Sequence, residues 1–270
     1  MRPGVQIPCW QVDAFTRTRF AGNPAAVCLL ERWLPDPLLQ LIAAENALPE
    51  TAFLVPQGDD YNLRWFTPEV EVDLCGHATL AAAFVLLNRI HPQRRDVQFI
   101  SQSGLLRVTQ DGDELTLDFP ARPPVPADPP PGLLAALGGP SPREVLRARD
   151  WLVVLDDAAA VRAVQPDFPA LLALPDVLAV CVTSRGDSPD VDFVSRYFTP
   201  AQGIPEDPVT GSAHCTLAPY WAARLGRKLL RARQLSRRSG ELRCTLVGER
   251  VHIAGHAVLT RIGHLLLDEL

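Results

Sequence analysis

Two short glycine motifs carry side chains suited to proton transfer and anion binding. Cys75-Gly76-His77-Ala78 and Thr210-Gly211-Ser212-Ala213 each stand directly before a largely apolar stretch with helical spacing. The start of a helix presents free backbone N–H groups and a partial positive charge, and glycine lets a ligand approach them. A carboxylate or a developing enolate oxygen would suit this position, with Gly76, Gly211 and Ala213 lining the ligand. The alternative is that both glycines only form tight strand-to-helix turns.

The side chains around these motifs offer acid–base chemistry. His77 and Ser212 occupy equivalent positions, and an imidazole can donate or exchange a proton at neutral pH. Asp207, in the loop before the second motif, could orient His77, bind a ligand amine or hydroxyl, or simply cap the loop. Cys75 is either a thiolate favoured by the helix start or a small packed residue.

Glu45 interrupts an otherwise apolar helical face. Leu38, Leu41, Ile42 and Leu48 share this face at spacings of three and four residues. Burial and the nearby end of the helix would both favour the protonated form of the Glu45 carboxyl group, which could then hold a proton near neutral pH and pass it on. The alternative, equally compatible with the pattern, places Glu45 at the edge of the stripe with its carboxylate in water.

The elements that must position these residues occur twice. Arg64-Trp65-Phe66-Thr67-Pro68 recurs as Arg196-Tyr197-Phe198-Thr199-Pro200 at an offset of 132, and the two glycine motifs follow at an offset of 135. Collinear matches with a slowly drifting offset indicate two copies of one fold. Two further pairs of matching segments are 103–107 with 239–243, at an offset of 136, and 52–55 with 179–182, at an offset of 127.

A proline-rich joint separates the copies. Residues 121–132 contain too many prolines for a helix or a central strand, so we assign 1–120 to the first repeat and 121–270 to the second. Each repeat is predicted to wind strands around one buried helix, at 78–88 and at 213–225. A duplicated fold most often binds its ligand in the cleft between the copies.

Composition excludes several classes of protein. The 270 residues are 47% hydrophobic and 21% charged, which is typical of a folded chain, and the net charge of −5 argues against nucleic acid as the partner. No apolar run approaches the roughly 18–20 residues needed to cross a membrane. Six scattered cysteines without a paired-cysteine motif indicate reduced cytoplasmic thiols, not a disulfide framework or a metal site. The only lysine, Lys228, lies in an arginine-rich stretch, so Schiff-base chemistry is not expected.

In combination and order, these motifs resemble the phenazine-biosynthesis isomerase-like (PhzF-like) family, over essentially the whole chain. The resemblance implies the diaminopimelate epimerase-like fold. This is an α+β fold of two pseudo-symmetric halves, each a mixed β-sheet curled around a central buried helix, in which the last strand can belong to the first half. The segments that carry the resemblance are 13–15, 22–27, 44–45, 50–53, 66–68, 75–79 and 206–213.

The resemblance implies a role for each site residue. Glu45 matches the family's acid/base glutamate, which relocates a proton on the ring of dihydro-hydroxyanthranilic acid. His77, Asp207 and Ser212 match the other polar site residues, and the glycines of the two motifs match backbone positions that line the ligand. No cofactor and no metal are implied, and family members resemble homodimers.

Two departures leave the reaction open. Related epimerases and racemases use two cysteines, one per motif, but Thr210 stands opposite Cys75. The phenazine enzyme itself lacks a cysteine before its Gly-His. We therefore expect a cytoplasmic, cofactor-independent isomerase that moves a proton within a small carboxylate-bearing metabolite. The alternatives are an epimerase or racemase that uses Glu45 and Cys75, and a non-catalytic protein that binds a small molecule.

Overall fold

A computed structural model describes residues 5–267 and divides the chain into two compact units. The first unit contains residues 5–117 and 255–267, and the second contains residues 118–254. The first unit therefore includes the last described segment of the chain, residues 255–267. No helix in residues 5–267 is long and apolar enough to span a bilayer.

The first unit holds two helices. They are α1 (Asp36–Asn46) and α2 (Gly76–Val85), and α2 is continued by a π-helical turn at Leu86–Ile90. The strands that begin in this unit before residue 118 are β1 (Val5–Ala14), β2 (Asn23–Leu29), β3 (Glu50–Gln57), β4 (Asp60–Phe66), β5 (Glu71–Val72), β6 (Asp96–Ser101), β7 (Gly104–Asp111) and β8 (Glu114–Pro120).

The second unit has more short helices. They are α3 (Leu133–Leu137), α4 (Ala158–Ala163), α5 (Phe168–Leu172) and α6 (His214–Leu225), with a 3-10 turn at Pro200–Gln202. Its strands are β9 (Val125–Pro126), β10 (Glu144–Arg147), β11 (Trp151–Val154), β12 (Val180–Ser188), β13 (Val191–Thr199), β14 (Ile204–Asp207), β15 (Leu229–Gln234), β16 (Gly240–Val247) and β17 (Arg250–Gly255). The last strand, β18 (Ala257–Leu267), returns to the first unit, where it pairs antiparallel with β1.

The two units repeat one pattern of strand pairing. In the first, β2 is parallel to β3, β3 is antiparallel to β4, β4 is parallel to β6, and β6, β7 and β8 form a meander. In the second, β11, β12, β13 and β15 follow the same parallel, antiparallel, parallel order, and β15, β16 and β17 form the meander. The predicted duplication is therefore present in the sheet topology.

The repeated Arg-aromatic-Phe segment makes the same contacts in both units. Arg64 on β4 donates two hydrogen bonds to the Glu71 carboxylate, both of 2.7 Å, and Arg196 on β13 donates two to Glu206, of 2.7 and 3.0 Å. Each guanidinium also lies over the phenylalanine ring two positions further on, at 5.1 and 4.9 Å from its centre. Such paired geometry suits a bidentate arginine–carboxylate contact and fixes the same corner in each copy.

One helix in each unit is buried, as predicted. Nine of the ten residues of α2 are buried, and α2 packs against β1, β2 and β3. Eight of the twelve residues of α6 are buried, and it packs against β15 and β16. A helix that is apolar on almost every side needs such a covering.

The buried face of α1 differs from the predicted face. Leu39, Ile42 and Ala43 are buried, whereas Leu41 is 66% exposed and Glu45 is exposed as well. Of the two interpretations that the pattern left open, the one that places Glu45 at the edge of the stripe, with its carboxyl group in water, is therefore the correct one. Leucines at adjacent positions offer two overlapping stripes, and the small Ala43 lets the other stripe pack closely against the core.

We expect truncation of these leucines to show which face of α1 is buried. Replacing Leu39, which is fully buried, by alanine should lower the free energy of unfolding by about 2–5 kcal/mol, because it leaves a cavity. Leu41→Ala on the same helix is the matched control and should change it by less than about 0.5 kcal/mol. Urea unfolding followed by circular dichroism measures both. Equal losses in the two variants would contradict the observed orientation of the helix.

Candidate active site

Both glycine motifs lie at the start of a buried helix. Cys75 is the extended residue before α2, and its carbonyl accepts the Thr79 amide in the first helical hydrogen bond, at 3.1 Å. In the second motif, Gly211 and Ser212 form a tight turn, and the His214 amide donates to the Gly211 carbonyl at 3.0 Å. The helix starts are therefore where the sequence predicts them, with the polar side chains of both motifs next to them.

His77 is the centre of a buried polar cluster. Its Nε2 lies 3.1 Å from a carboxylate oxygen of Glu50, and its Nδ1 lies 2.9 Å from the side-chain amide nitrogen of Asn23. The Cys75 sulfur is 3.5 Å from Nδ1. The side chains of His77 and Glu50 are only 3% and 11% exposed. An amide serves either protonation state of the ring, because a half-turn exchanges its donor and its acceptor.

Three element starts converge to build this cluster. Asn23 opens β2, Glu50 opens β3, and His77 is the second residue of α2. Strands β2 and β3 are parallel, with Ala25 opposite Glu50, so their first residues share one edge. Neighbouring parallel strands present their starting side chains at the same edge, which explains how residues far apart in sequence meet at one imidazole.

Electrostatics favour a charged imidazole. Burial alone would lower the pKa of His77, but the neighbouring Glu50 carboxylate acts against burial, and that pKa is raised above its ordinary value. Burial, reinforced by Glu50, also raises the pKa of the Cys75 thiol to about 11. Cys75 is thus a neutral thiol at physiological pH, which favours its interpretation as a small packed residue. The buried charge of His77 is balanced by Glu50, as a buried ion requires.

The same cluster contains the ligand types of a metal site. Glu50, Cys75 and His77 offer ligand atoms that all lie within 4.8 Å of one another. The thiol and the carboxylate, however, contact different nitrogens of the imidazole ring. The closest contacts in the cluster are therefore those that the imidazole makes with its two neighbours.

The second motif is held by a buried glutamine. Gln234 donates from Nε2 to the Asp207 carbonyl at 2.7 Å, and its Oε1 accepts the Thr210 amide at 2.8 Å. The Thr210 hydroxyl donates to the Asp207 carboxylate at 2.5 Å. Asp207 is buried and Ser212 half-buried. Gln234 therefore fixes the turn that carries both predicted residues of this unit.

Glu45 lies at the exposed last turn of α1. Its neighbour Asn46 donates from its side-chain amide to the Thr51 hydroxyl at 3.0 Å, and Thr51 follows Glu50 on β3. The contact between Asn46 and Thr51 thus joins the end of α1, which carries Glu45, to the start of β3, which carries Glu50.

Sequence reasoning missed three functional candidates, namely Asn23, Glu50 and Gln234. The first two lie in segments that carry the family resemblance, 22–27 and 50–53, so a signal for them was present. Gln234 follows an arginine-rich stretch and has no motif around it. Its role becomes visible only when β15 is placed beside β13.

Comparison with known proteins gives a consistent family. The PhzC-PhzF family of phenazine biosynthesis-like proteins matches residues 12–263. An uncharacterized isomerase of Pseudomonas aeruginosa is 52% identical over 97% of this chain and 99% of its own length. The phenazine biosynthesis-like domain-containing protein 1 of Mus musculus is 40% identical over 97% of this chain and 99% of its own length.

Solved structures agree with the fold. A phenazine biosynthesis protein of the PhzF family from Enterococcus faecalis superimposes with a TM-score of 0.92 at 49% identity, over 97% of this chain and 100% of that one. A hydroxyproline epimerase from Agrobacterium vitis shares the fold, with a TM-score of 0.62 at 16% identity over 99% of this chain and 93% of that one. The diaminopimelate epimerase-like α+β architecture expected from the motifs is thus confirmed. The chain belongs to the PhzC-PhzF family of phenazine biosynthesis-like proteins and is an isomerase.

Proposed function

We propose that this isomerase moves a proton between two carbons of one small carboxylate-bearing metabolite, without a cofactor. The observation that carries the proposal is the buried His77–Glu50 pair, 3.1 Å apart, at the N-terminus of α2. The start of α2, where this pair lies, carries the partial positive charge of the helix and therefore suits an anion. Such an environment stabilises negative charge that develops when a carbon loses its proton.

Glu45 is the proposed general acid and base. Its carboxylate is exposed, so it is free to take a proton from a ligand carbon and to return it to another carbon of the same molecule. No electron is transferred, and the proton count of the substrate is unchanged. The contact of Asn46 with Thr51 ties the end of α1 to the strand that carries Glu50.

The second motif is proposed to bind the polar groups of the substrate. Asp207 would accept from an amine or hydroxyl, and Ser212 would donate to a carboxylate. The support is the duplication itself, because Ser212 occupies the position of His77 in the second copy. The proposal also includes a cytoplasmic homodimer, and the six free cysteines suit a reducing compartment.

A two-thiol epimerase is the less suitable reaction. Thr210 replaces the second cysteine, and the Cys75 thiol, with its pKa raised by burial to about 11, is protonated at neutral pH. A proton carrier works best with a pKa near the operating pH. The proposal therefore leaves Cys75 out of the proton transfer and keeps Glu45 as the acid and base.

Deuterium exchange tests the role of Glu45. Wild-type protein, mixed in D2O with dihydro-hydroxyanthranilic acid and a panel of unsaturated or amino carboxylates, should introduce deuterium into at least one compound, as followed by NMR. Glu45→Gln should slow this exchange by about 10²–10⁴-fold, because the amide cannot carry the proton. Glu31→Gln, which removes another exposed carboxylate of the same unit, is the matched control and should exchange at the wild-type rate. Full exchange by Glu45→Gln would refute the assignment.

Glu50→Gln should change the pH dependence of exchange. Without the neighbouring negative charge, the pKa of His77 falls, since burial then acts with less opposition. If the imidazolium is the active form, activity is present below this pKa and lost above it. The alkaline limb of kcat/KM should therefore move to lower pH, by about one unit or more. The control is Glu69→Gln, which removes an exposed carboxyl group shortly after β4 and should leave the alkaline limb in place. An unshifted limb in Glu50→Gln would contradict the role of the His77–Glu50 pair.

Replacing the Cys75 thiol separates the proposal from the epimerase alternative. Cys75→Ser should slow exchange by less than about tenfold, because the neutral thiol packs and carries no proton. The same substrate and D2O assay should be used as for Glu45→Gln. A loss as large as that of Glu45→Gln, together with inversion of one stereocentre by the wild-type protein, would favour the epimerase.

A further inference from the structure

Cys9 and Cys28 form a close pair of thiols outside the cluster around His77. They lie directly opposite each other on the antiparallel strands β1 and β2. The Cys28 thiol donates to the Cys9 sulfur, and the two sulfurs are 3.6 Å apart. Directly opposed residues on antiparallel strands have Cα separations of about 4.5–5.5 Å, within the range of about 4.4–6.8 Å that a disulfide spans. The bond can therefore form by a small rotation of the side chains.

The two thiols differ in pKa and in burial, as the two members of a reactive pair do. The hydrogen bond from Cys28 lowers the pKa of Cys9 against the effect of burial, and Arg261 acts in the same direction as the hydrogen bond. Cys28 is fully buried, and its pKa is raised well above the ordinary value by that same hydrogen bond and by burial. The geometry and the lowered pKa both favour Cys9 as the nucleophile, with Cys28 placed to resolve its oxidised form.

The Cys9 side is also the accessible side. Cys9 is half-buried, and its neighbour on the other side, in β18, is Gly263. A Cβ added to Gly263 would meet no atom within 4 Å, so this glycine leaves open space on the face shared with Cys9. By contrast, Cys181 and Cys244 are buried, and burial raises the pKa of both.

We propose that Cys9 and Cys28 are an oxidative modification site that reacts with hydrogen peroxide. The Cys9 thiolate attacks the peroxide oxygen, which forms a sulfenic acid and releases water after proton uptake. The Cys28 thiol then attacks the Cys9 sulfur, and a second water leaves as the disulfide forms. The two thiols give up two electrons and two protons, and the peroxide is reduced to two waters. A dithiol reductant reverses the reaction.

Oxidation at this site would reach Glu45 through Asn46. The Asn46 amide, which donates to the Thr51 hydroxyl, also acts on Cys28, where it counters part of the rise in the pKa of that thiol. Disulfide formation shortens the distance between the two sulfurs from 3.6 Å to about 2.05 Å, which draws the Cys28 sulfur toward Cys9 and changes the surroundings of the Asn46 amide. Asn46 is the last residue of α1 and follows Glu45 directly. This part of the inference rests on the function proposed for Glu45, because it predicts that oxidation slows proton exchange.

A thiol count with peptide mapping tests the site directly. Reduced full-length protein is treated with a small excess of hydrogen peroxide, and free thiols are titrated before and after. Two of the six thiols should disappear, and mass spectrometry should find one peptide pair that joins Cys9 to Cys28. Treatment with dithiothreitol should restore all six. Retention of six thiols, or a disulfide between other cysteines, would overturn the proposal.

Three variants make the test specific. Cys28→Ser should form no disulfide and should instead leave a Cys9 sulfenic acid that dimedone traps. Cys9→Ser should keep its Cys28 thiol and form no disulfide at the same peroxide dose. Cys181→Ala, which removes a buried cysteine in the other unit, should still form the Cys9–Cys28 bond. A disulfide that persists in Cys28→Ser would contradict the assignment of the resolving thiol.

Exchange activity is measured on the same samples. Oxidation should slow deuterium exchange by about tenfold in the wild type, through displacement of the end of α1, and leave Cys28→Ser less affected. If the reduced protein shows no exchange with any compound, the proposed function has failed, while the thiol count still decides the modification site. A disulfide that forms without any change in exchange would refute the connection to Glu45.

Discussion

The pairing of a buried imidazole with a buried carboxylate is the constraint on which the candidate site depends. His77 and Glu50 are both removed from water, so neither can carry charge without the other. Their contact requires the starts of β2, β3 and α2 to meet at one edge, with Asn23 on the other ring nitrogen. The contacts of His77 therefore hold the starts of these three elements together at the candidate site.

The two units share their structural contacts but differ in the residues of the candidate site. The arginine–carboxylate contacts of Arg64 and Arg196 repeat between the two units, as does the order of strand pairing. The residues at the helix starts do not repeat. His77 corresponds to Ser212, and by the strand register opposite the repeated Phe66 and Phe198, Glu50 corresponds to Ala179. The charged pair thus belongs to one copy, and the other copy holds its motif with the neutral amide of Gln234.

Much of the fold could be predicted because its signals are local. Repeated segments, the apolar helix α2 and the glycine motifs are readable from residue types and spacing, and the structure confirms them. The orientation of α1 could not be predicted, since adjacent leucines give two stripes and only packing selects one. Glu50 and Gln234 act through partners distant in sequence, so their roles appear only once strand register is known. The carboxylate that contacts His77 is that of Glu50, which the sequence had not singled out.

The protonation state of His77 in the wild-type protein tests the central claim most directly. Histidine labelled with nitrogen-15 would be observed by NMR between pH 6 and 9, with the six histidine signals assigned by single substitutions, including His77→Gln. Both ring nitrogens of His77 are expected to stay protonated through neutral pH, because the Glu50 carboxylate raises its pKa against the effect of burial. A neutral imidazole at pH 6, with one unprotonated ring nitrogen, would contradict this expectation.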